Sequence, residues 1–336
     1  MKGTKLLVMM LLVGLLASGS LFAGGGGESS ASSGPQKWRW GQANPDGVPL
    51  NDGAKRFAQL LREETKNAIS VDVYAQAQLG NDRDLIEGVG LGSLELCSVT
   101  GALTNFSAAF LTFDLPYIVK NNDAGLRKAF SIFDGPVGRE VLDTLEAKDI
   151  KGLGFWESGF RHCINSKKDI RTPADIQGMK IRTMENELHL AYYRAVGAMP
   201  VAIASSEAFT ALRQGVIDGM DNNLFSFLSQ KPYEVAKHIS LTGHVYSPGV
   251  VLMHLGLYKS LPDDHRKIID RLIKEVGIWQ REHSLQFDKK AIEELKKFGC
   301  TIIEDIDYDV WQNACSKVYD EYRGKINQKY LDAFLK

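Results

Sequence analysis

Thr172-Pro173-Ala174-Asp175-Ile176-Gln177-Gly178-Met179-Lys180-Ile181-Arg182-Thr183-Met184 carries a helical start, a stop and a strand in immediate succession. Thr172 is an N-cap residue, Pro173 takes the first helical position, Asp175 adds an acid to the first turn and Gly178 ends the element. Met179 to Met184 then reads as a strand, whose alternation puts Met179 and Ile181 on one face and Arg182 on the other. Beyond it, Glu185 to Val196 reads as a helix closed by Gly197, and Met199 to Ile203 as another strand. Ser206 begins a helix with Phe209 and Leu212 inward, ending before the Asp218-Gly219 turn. Strands alternating with helices imply an α/β fold on a sheet at least partly parallel.

The same rhythm runs through the N-terminal part. Trp38 to Ala43 is a short strand candidate, and Asn51 to Thr65 places Phe57, Leu60 and Leu61 on one helical face. Ile69-Ser70-Val71-Asp72-Val73-Tyr74 alternates with period two, as a half-buried strand does. Asn81 caps a helix carrying Leu85, Ile86 and Val89, and Leu94 to Val99 follows as a strand. The C-terminal third reads as helical. Between Pro262 and Gly299 the apolar residues Ile268, Leu272, Ile273, Val276, Trp279, Ile292, Leu295 and Phe298 keep helical spacing, as one long helix or two in succession. No repeat at solenoid periods is visible.

The first residues read as a targeting signal. Lys2 and Lys5 precede an apolar run from Leu6 to Leu16, and small residues lead to a cut near Ala23, so residues 1–23 are expected to be a secretory signal peptide. Residues 24–35, rich in Gly and Ser, are expected to be a flexible tether. The remaining length suits roughly two domains of about 150 residues each. Lys and Arg number 40 against 41 Asp and Glu, interspersed, which argues against a nucleic-acid surface. Cys97, Cys163, Cys300 and Cys315 show neither zinc-knuckle nor C-x-x-C spacing. Cys300 with Cys315 is the only disulfide worth entertaining.

Four residues stand out for chemistry: Arg161 in Gly159-Phe160-Arg161, Arg182 at its strand edge, and Asp218 and Asn222 in Asp218-Gly219-Met220-Asp221-Asn222. An arginine on a strand is usually a solvated charge, worth about 0–1 kcal/mol when it pairs in open water. Two arginines and an asparagine at the loop ends of an open α/β sheet are a carboxylate receptor, provided the cleft closes and excludes water. Asp82, Asp84 and Glu87 cluster at a helix start, where acids complement the dipole; Asp82 can also receive a ligand hydroxyl. Of the seven histidines, His244 is the one kept as a ligand contact, and none shows His-Glu-x-x-His spacing, so no metal is expected. Gly88-Val89-Gly90-Leu91-Gly92 ends a helix instead of opening one and fails as a dinucleotide fingerprint. No Gly-x-Ser-x-Gly elbow supports a serine hydrolase. A glycoside hydrolase acting on acidic sugars is the enzyme alternative, since paired carboxylates are recognised only in space.

Taken in order, Val73-Tyr74, Gln78-Leu79-Gly80, Asn105-Phe106, Leu115-Pro116-Tyr117, Gly159-Phe160-Arg161, Ile170 to Asp175, Gly178 to Arg182, Glu207, Ala211-Leu212, Gly215 to Gly219 and Asn222 make the chain resemble the DctP-like solute-binding subunits of tripartite ATP-independent periplasmic (TRAP) transporters. The resemblance implies a two-lobed, periplasmic-binding-protein-like (Venus flytrap) α/β fold with a long hinge-spanning helix. Residues 36–158 and 247–286 would form lobe I, and residues 159–246 and 287–336 lobe II. It implies a periplasmic receptor for a small carboxylate, most similar around Lys180 to Asn186 and Glu207 to relatives that take up sugar acids. Neither a cofactor nor catalysis is implied, and the partners are the transporter's membrane subunits. Arg182 would anchor the carboxylate, with Arg161 and Asn222 reinforcing it, and Asn44, Asp82 and Thr100 would meet hydroxyls. Two departures stand out. Asn223 replaces the family's usual Pro, and Ser205 stands where many relatives carry Phe over the ligand, leaving space and a hydroxyl for a polar ligand. A C4-dicarboxylate, 2-oxo acid or hydroxy acid would be the ligand if a second cation, for which Arg83 is the candidate, faced the site.

Overall fold

Parallel strands need crossovers, and the N-terminal part supplies them. In the computed structural model, which describes residues 34–336, Gln36–Gly41 (β1) lies parallel between Ile69–Tyr74 (β2) and Leu96–Thr100 (β3), with Pro49–Glu64 (α1) and Asp82–Gly90 (α2) as the connections. The expected signal peptide and residues 24–33 of the expected tether lie outside the described residues. Pro49 opens α1, whose Phe57 and Leu61 are fully buried; Asn81 and Asp84 close a capping box on α2.

Asp123–Phe133 (α3) and Pro136–Asp143 (α4) lead to Ile150–Asn165 (β4). Next come Lys180–Thr183 (β5), Glu187–Ala195 (α5), Met199–Ala202 (β6), Ser205–Arg213 (α6), Gly219–Asn222 (β7) and Leu224–Ser229 (α7). His238–His254 (β8), Leu255–Ser260 (α8), the 35-residue Asp263–Lys297 (α9) and Thr301–Ile303 (β9) precede Tyr308–Ala314 (α10), Ser316–Tyr322 (α11) and Gln328–Leu335 (α12). Among the described residues the strands form one sheet in the order β2-β1-β3-β8-β4-β7-β5-β6, with β9 beside β8. The long antiparallel strands β4 and β8 join its two ends, and α9 packs on α1 at one end and on α7 at the other, so the α/β fold is two-lobed and pinned through its middle. Pro35–Lys336 packs as one compact unit.

Three expectations need correcting. The element after Thr172 is a single 3-10 turn, Pro173–Ile176, not a helix. Thr172 and Asp175 do cap each other, but Gly178, at φ +72°, reverses the chain before a second turn can form. The C-terminal third is not purely helical either. β8 is buried almost throughout, and a strand covered on both faces shows no period-two signal. Cys97, Cys163, Cys300 and Cys315 are all buried and free, so Cys300 and Cys315 do not pair.

Where β4 crosses between lobes it bulges between Glu157 and Phe160, and Gly159 takes φ +86°, a left-handed conformation that favours glycine. The Glu157 carboxyl, 1% exposed, accepts from the Tyr246 hydroxyl; Asp288 of α9 reaches the same place with its Oδ1 buried and unpartnered. Burial pushes Glu157 up to about 8 and Asp288 up to about 7. Both acids keep protons in the fold that the unfolded chain has already released, so stability falls as pH rises toward those values. Below pH 6.5 the buried His162 and His244, pushed down by burial to about 3 and about 4, act in the opposite sense. The clean window is therefore pH 6.5 to 8. Thermal unfolding of the ligand-free protein should show a lower midpoint at pH 8 than at pH 6.5, with Glu157→Gln flattening that slope. An unchanged slope in the variant would remove Glu157 as its source.

Candidate functional site

In a parallel α/β sheet, ligands collect beyond the carboxyl ends of the strands, where helix N-termini also point. A cavity of about 250 Å³ lies there. Asn44 follows β1, Asp82 opens α2 and Thr100 ends β3, so these come from one side of the cleft. Arg182 on β5, Ser205 at the start of α6 and Asn222 at the end of β7 come from the other.

Arg182 is 1% exposed, yet among the described residues no carboxylate lies within salt-bridge distance of it. Its Nε donates to the Ile203 carbonyl (2.8 Å) and its Nη1 only weakly to the Asp221 carbonyl (3.5 Å). Burial, with Arg161 nearby, pushes it down to about 10, still cationic at neutral pH. Asn222 Oδ1 is occupied by the Asn223 N–H (3.1 Å). A guanidinium fork on the cavity wall without an anion is the dominant electrostatic feature here.

Arg161 is different. It does not line the cavity, because its fork is taken: Nη2 and Nε donate to Asp221 Oδ1 (2.8 Å) and Oδ2 (3.1 Å), and Nη2 also to the Asp221 carbonyl (3.1 Å). Only Nη1 leans toward Asn222 Oδ1, at 3.5 Å. Instead of sharing a ligand carboxylate directly, Arg161 braces the strand that carries Asn222. His244 belongs to the same buried group. Its Nε2 donates to Asp221 Oδ2 (3.2 Å), its Nδ1 accepts from Thr242 Oγ1 (2.8 Å) and its ring stacks on Tyr192 at 4.7 Å, all away from the cavity. Burial alone would raise the Asp221 carboxyl, but Arg161 and His244 hold it well below the usual carboxylate range. Asp221 is thus the central residue that the sequence reading passed over; its signal was an acid beside Asn222 in an otherwise apolar strand.

Glu207 is exposed on the first turn of α6 and lies outside the cavity lining, where it complements the helix dipole. Asp82 Oδ2 accepts from the Thr100 N–H (2.9 Å) and hydroxyl (3.4 Å); burial outweighs these bonds and pushes the acid up to about 6. Ser205 Oγ accepts from Gln230 Nε2 (2.8 Å), which leaves the serine proton for another acceptor. Arg83 lines the cavity, but it pairs with Glu87 (3.1 Å) and is largely exposed. Asn81, Asp84, Asn105, Met184 and Glu185 also line the wall, none of them singled out as ligand contacts from sequence. Among the described residues no cluster of His, Cys, Asp and Glu is arranged to hold a metal, and no helix is long and apolar enough to cross a membrane.

A solute-binding protein of Verminephrobacter eiseniae is 34% identical over 82% of this chain and 82% of its own. Among solved structures, a TRAP periplasmic solute-binding protein of Polaromonas sp. JS666 bound to D-erythronate matches with a TM-score of 0.85 at 31% identity, covering 89% of this chain and 97% of that one. The sugar acid binding protein of Advenella mimigardefordensis in complex with galactonate matches at 0.85 and 29% identity, covering 90% and 98%. The family model described as bacterial extracellular solute-binding protein, family 7 (DctP), matches residues 40–325. The chain belongs to that family.

Proposed function

We propose that this protein is the periplasmic receptor of a TRAP transporter, binding a sugar acid between its lobes and delivering it to the membrane subunits. The observation that carries this reading is Arg182, a buried cation on the cavity wall with no carboxylate within salt-bridge distance among the described residues. A ligand carboxylate fits the fork with two parallel charge-assisted bonds. Asn222 supports the same group, and the α2 and α6 N-termini favour negative charge. At the far end, Asn44, Thr100, Asp82 and Ser205 offer partners for hydroxyls. Asp82, Asp84 and Glu185 line the wall there and repel a second carboxylate; Arg83 also lines it, but one exposed cation stands against three acids. This weighs against a C4-dicarboxylate and for an aldonate or uronate; the Polaromonas and Advenella structures hold the aldonates D-erythronate and galactonate. Membership of an extracellular solute-binding family supports a place outside the cytoplasmic membrane. The cavity binds and releases its acid unchanged; turnover of a uronide by the purified protein would overturn that part of the reading.

The test is a thermal-shift screen on protein freed of co-purified ligand by unfolding and refolding. Aldonates and uronates would be set against C4-dicarboxylates, 2-oxo acids and neutral sugars. A ligand at 100 times its dissociation constant adds roughly 2.7 kcal/mol, a shift of several degrees. Shifts confined to sugar acids support the reading, and shifts confined to dicarboxylates overturn the ligand class. Ser205→Phe is a second check. The ring would fill the space and remove the hydroxyl that Gln230 orients, so sugar-acid affinity should fall about tenfold or more on titration. Unchanged affinity would show that Ser205 faces no part of the ligand.

A further inference from the structure

One side chain ties the walls of the cleft together without lining the cavity. Asn186, 1% exposed, sits just before α5. Its Oδ1 accepts from the N–H groups of Leu188 (2.9 Å) and His189 (3.3 Å), capping that helix. Its Nδ2 points the other way and donates to the Gly101 carbonyl (2.7 Å) and to Asp114 Oδ2 (2.6 Å). The hydrogen-bonding capacity of the amide is therefore divided between two regions of the chain. Residues 101 and 114 follow β3, in the segment assigned to lobe I, whereas Asn186 follows β5, in the segment assigned to lobe II. Among the described residues the Asp114 side chain has no other hydrogen-bond donor; the His189 ring stops 3.9 Å away.

The backbone at the contact suits a close approach. Gly101 has φ +69°, a left-handed conformation that favours glycine, and a Cβ there would come within 2.2 Å of Met184 Sδ, so a residue with a side chain would have to displace the Met184 side chain. Two further polar contacts between these walls, Asn105 Nδ2 to the Glu185 carbonyl (3.1 Å) and Ser206 Oγ to Asn81 Oδ1 (3.1 Å), are exposed, and water replaces them at little cost; beside Asp114, the Tyr117 N–H donates to the His244 carbonyl (2.9 Å) and its hydroxyl meets that of Tyr192 (3.3 Å). The Asn186 bonds are buried, and one of them ends on a carboxylate, where a missing donor is costly.

We propose that Asn186 is the clasp of the closed state, setting how long an acid stays bound without touching it. The proposal rests on the receptor reading above, because it requires lobes that open and close on a ligand. Opening returns the Gly101 carbonyl and Asp114 to water, while the α5 cap stays with its own helix. Loss of the clasp therefore speeds release and leaves encounter with the open form unchanged.

The test is a stopped-flow measurement of kon and koff with galactonate, D-erythronate, D-glucuronate and succinate, using the full-length mature protein. Asn186→Ser keeps an oxygen for the helix cap and removes both cross-cleft donors. Its koff should rise roughly ten- to a hundredfold for whichever probe binds wild type, with kon within about threefold. Asp114→Asn, which keeps the shape and loses the charge, should raise koff by a smaller factor, and it serves as the test should the first variant fail to fold. A koff within threefold of wild type in both variants, or a loss that falls on kon, would overturn the clasp while leaving the receptor reading intact. Wild type that binds none of the four probes would overturn the receptor reading and the clasp with it.

Discussion

Arg182→Ala should lower affinity for the bound sugar acid by about 2–5 kcal/mol, roughly thirtyfold to several thousandfold. The size of the effect follows from the setting of the group. Arg182 is buried, its Nε is held by the Ile203 carbonyl, and among the described residues no carboxylate lies within salt-bridge distance of the rest of the fork. Truncation would leave a ligand carboxylate in a cavity from which closure has removed water, with only Asn222 as a neutral partner. Arg161 cannot step in, because Asp221 occupies it from two sides. Arg182→Lys should fall between the two, since an ammonium keeps the charge but loses the planar fork. Calorimetric titration measures all three. Binding of Arg182→Ala within threefold of wild type would refute the anchor role.

Asp221→Ala should act on the fold itself, destabilising it by about 3–5 kcal/mol, as removal of one partner from a buried ion pair does. Asp221 neutralises Arg161, accepts from His244 and from the Thr183 hydroxyl (3.2 Å), and is fully buried. Its loss leaves the Arg161 and Arg182 guanidinium groups facing each other in a buried site. It also frees the β7 strand that presents Asn222. A thermal midpoint lower by on the order of 10 °C is expected for the ligand-free protein. A midpoint within a degree of wild type would mean that the buried network contributes nothing net.

Both arginines looked alike from sequence, and the structure separates them for a reason that sequence does not carry. Each lies near a strand edge, but what decides their roles is the neighbour across the sheet. β4 pairs with β7 so that His162 stands opposite Asn222 and Cys163 opposite Asp221, which brings the Asp221 carboxylate to Arg161. Arg182, on the far side of β7, meets only the backbone of that strand. Register between strands distant in sequence is a tertiary property, so His244 was likewise read as a ligand contact when it is a partner of Asp221. Glu207 was carried by a motif, although its physical role at a helix start needs no ligand.

The elements that read clearly are the amphipathic ones. β2 runs over Ile69–Tyr74, where the period-two pattern placed it, and the apolar residues between Pro262 and Gly299 belong to one helix. The crossing strands β4 and β8 escaped because burial on both faces erases alternation. The cavity wall was half legible. Asp82 was found from local pattern at a helix start, and Thr100 and Ser205 came from the family resemblance, whereas Asn105 and Met184 arrive only when the two sides meet.

Recognition of a carboxylate by Arg182 is the central claim, and a pair of calorimetric titrations tests it most directly. Ligand-stripped protein would be titrated with galacturonate and, separately, with galactose, which keeps the ring and its hydroxyls and lacks the charge. Stoichiometric binding of the acid, with no detectable heat from the neutral sugar, is the predicted result. Equal binding of both would contradict the claim, since an uncompensated buried guanidinium cannot be satisfied by hydroxyls alone.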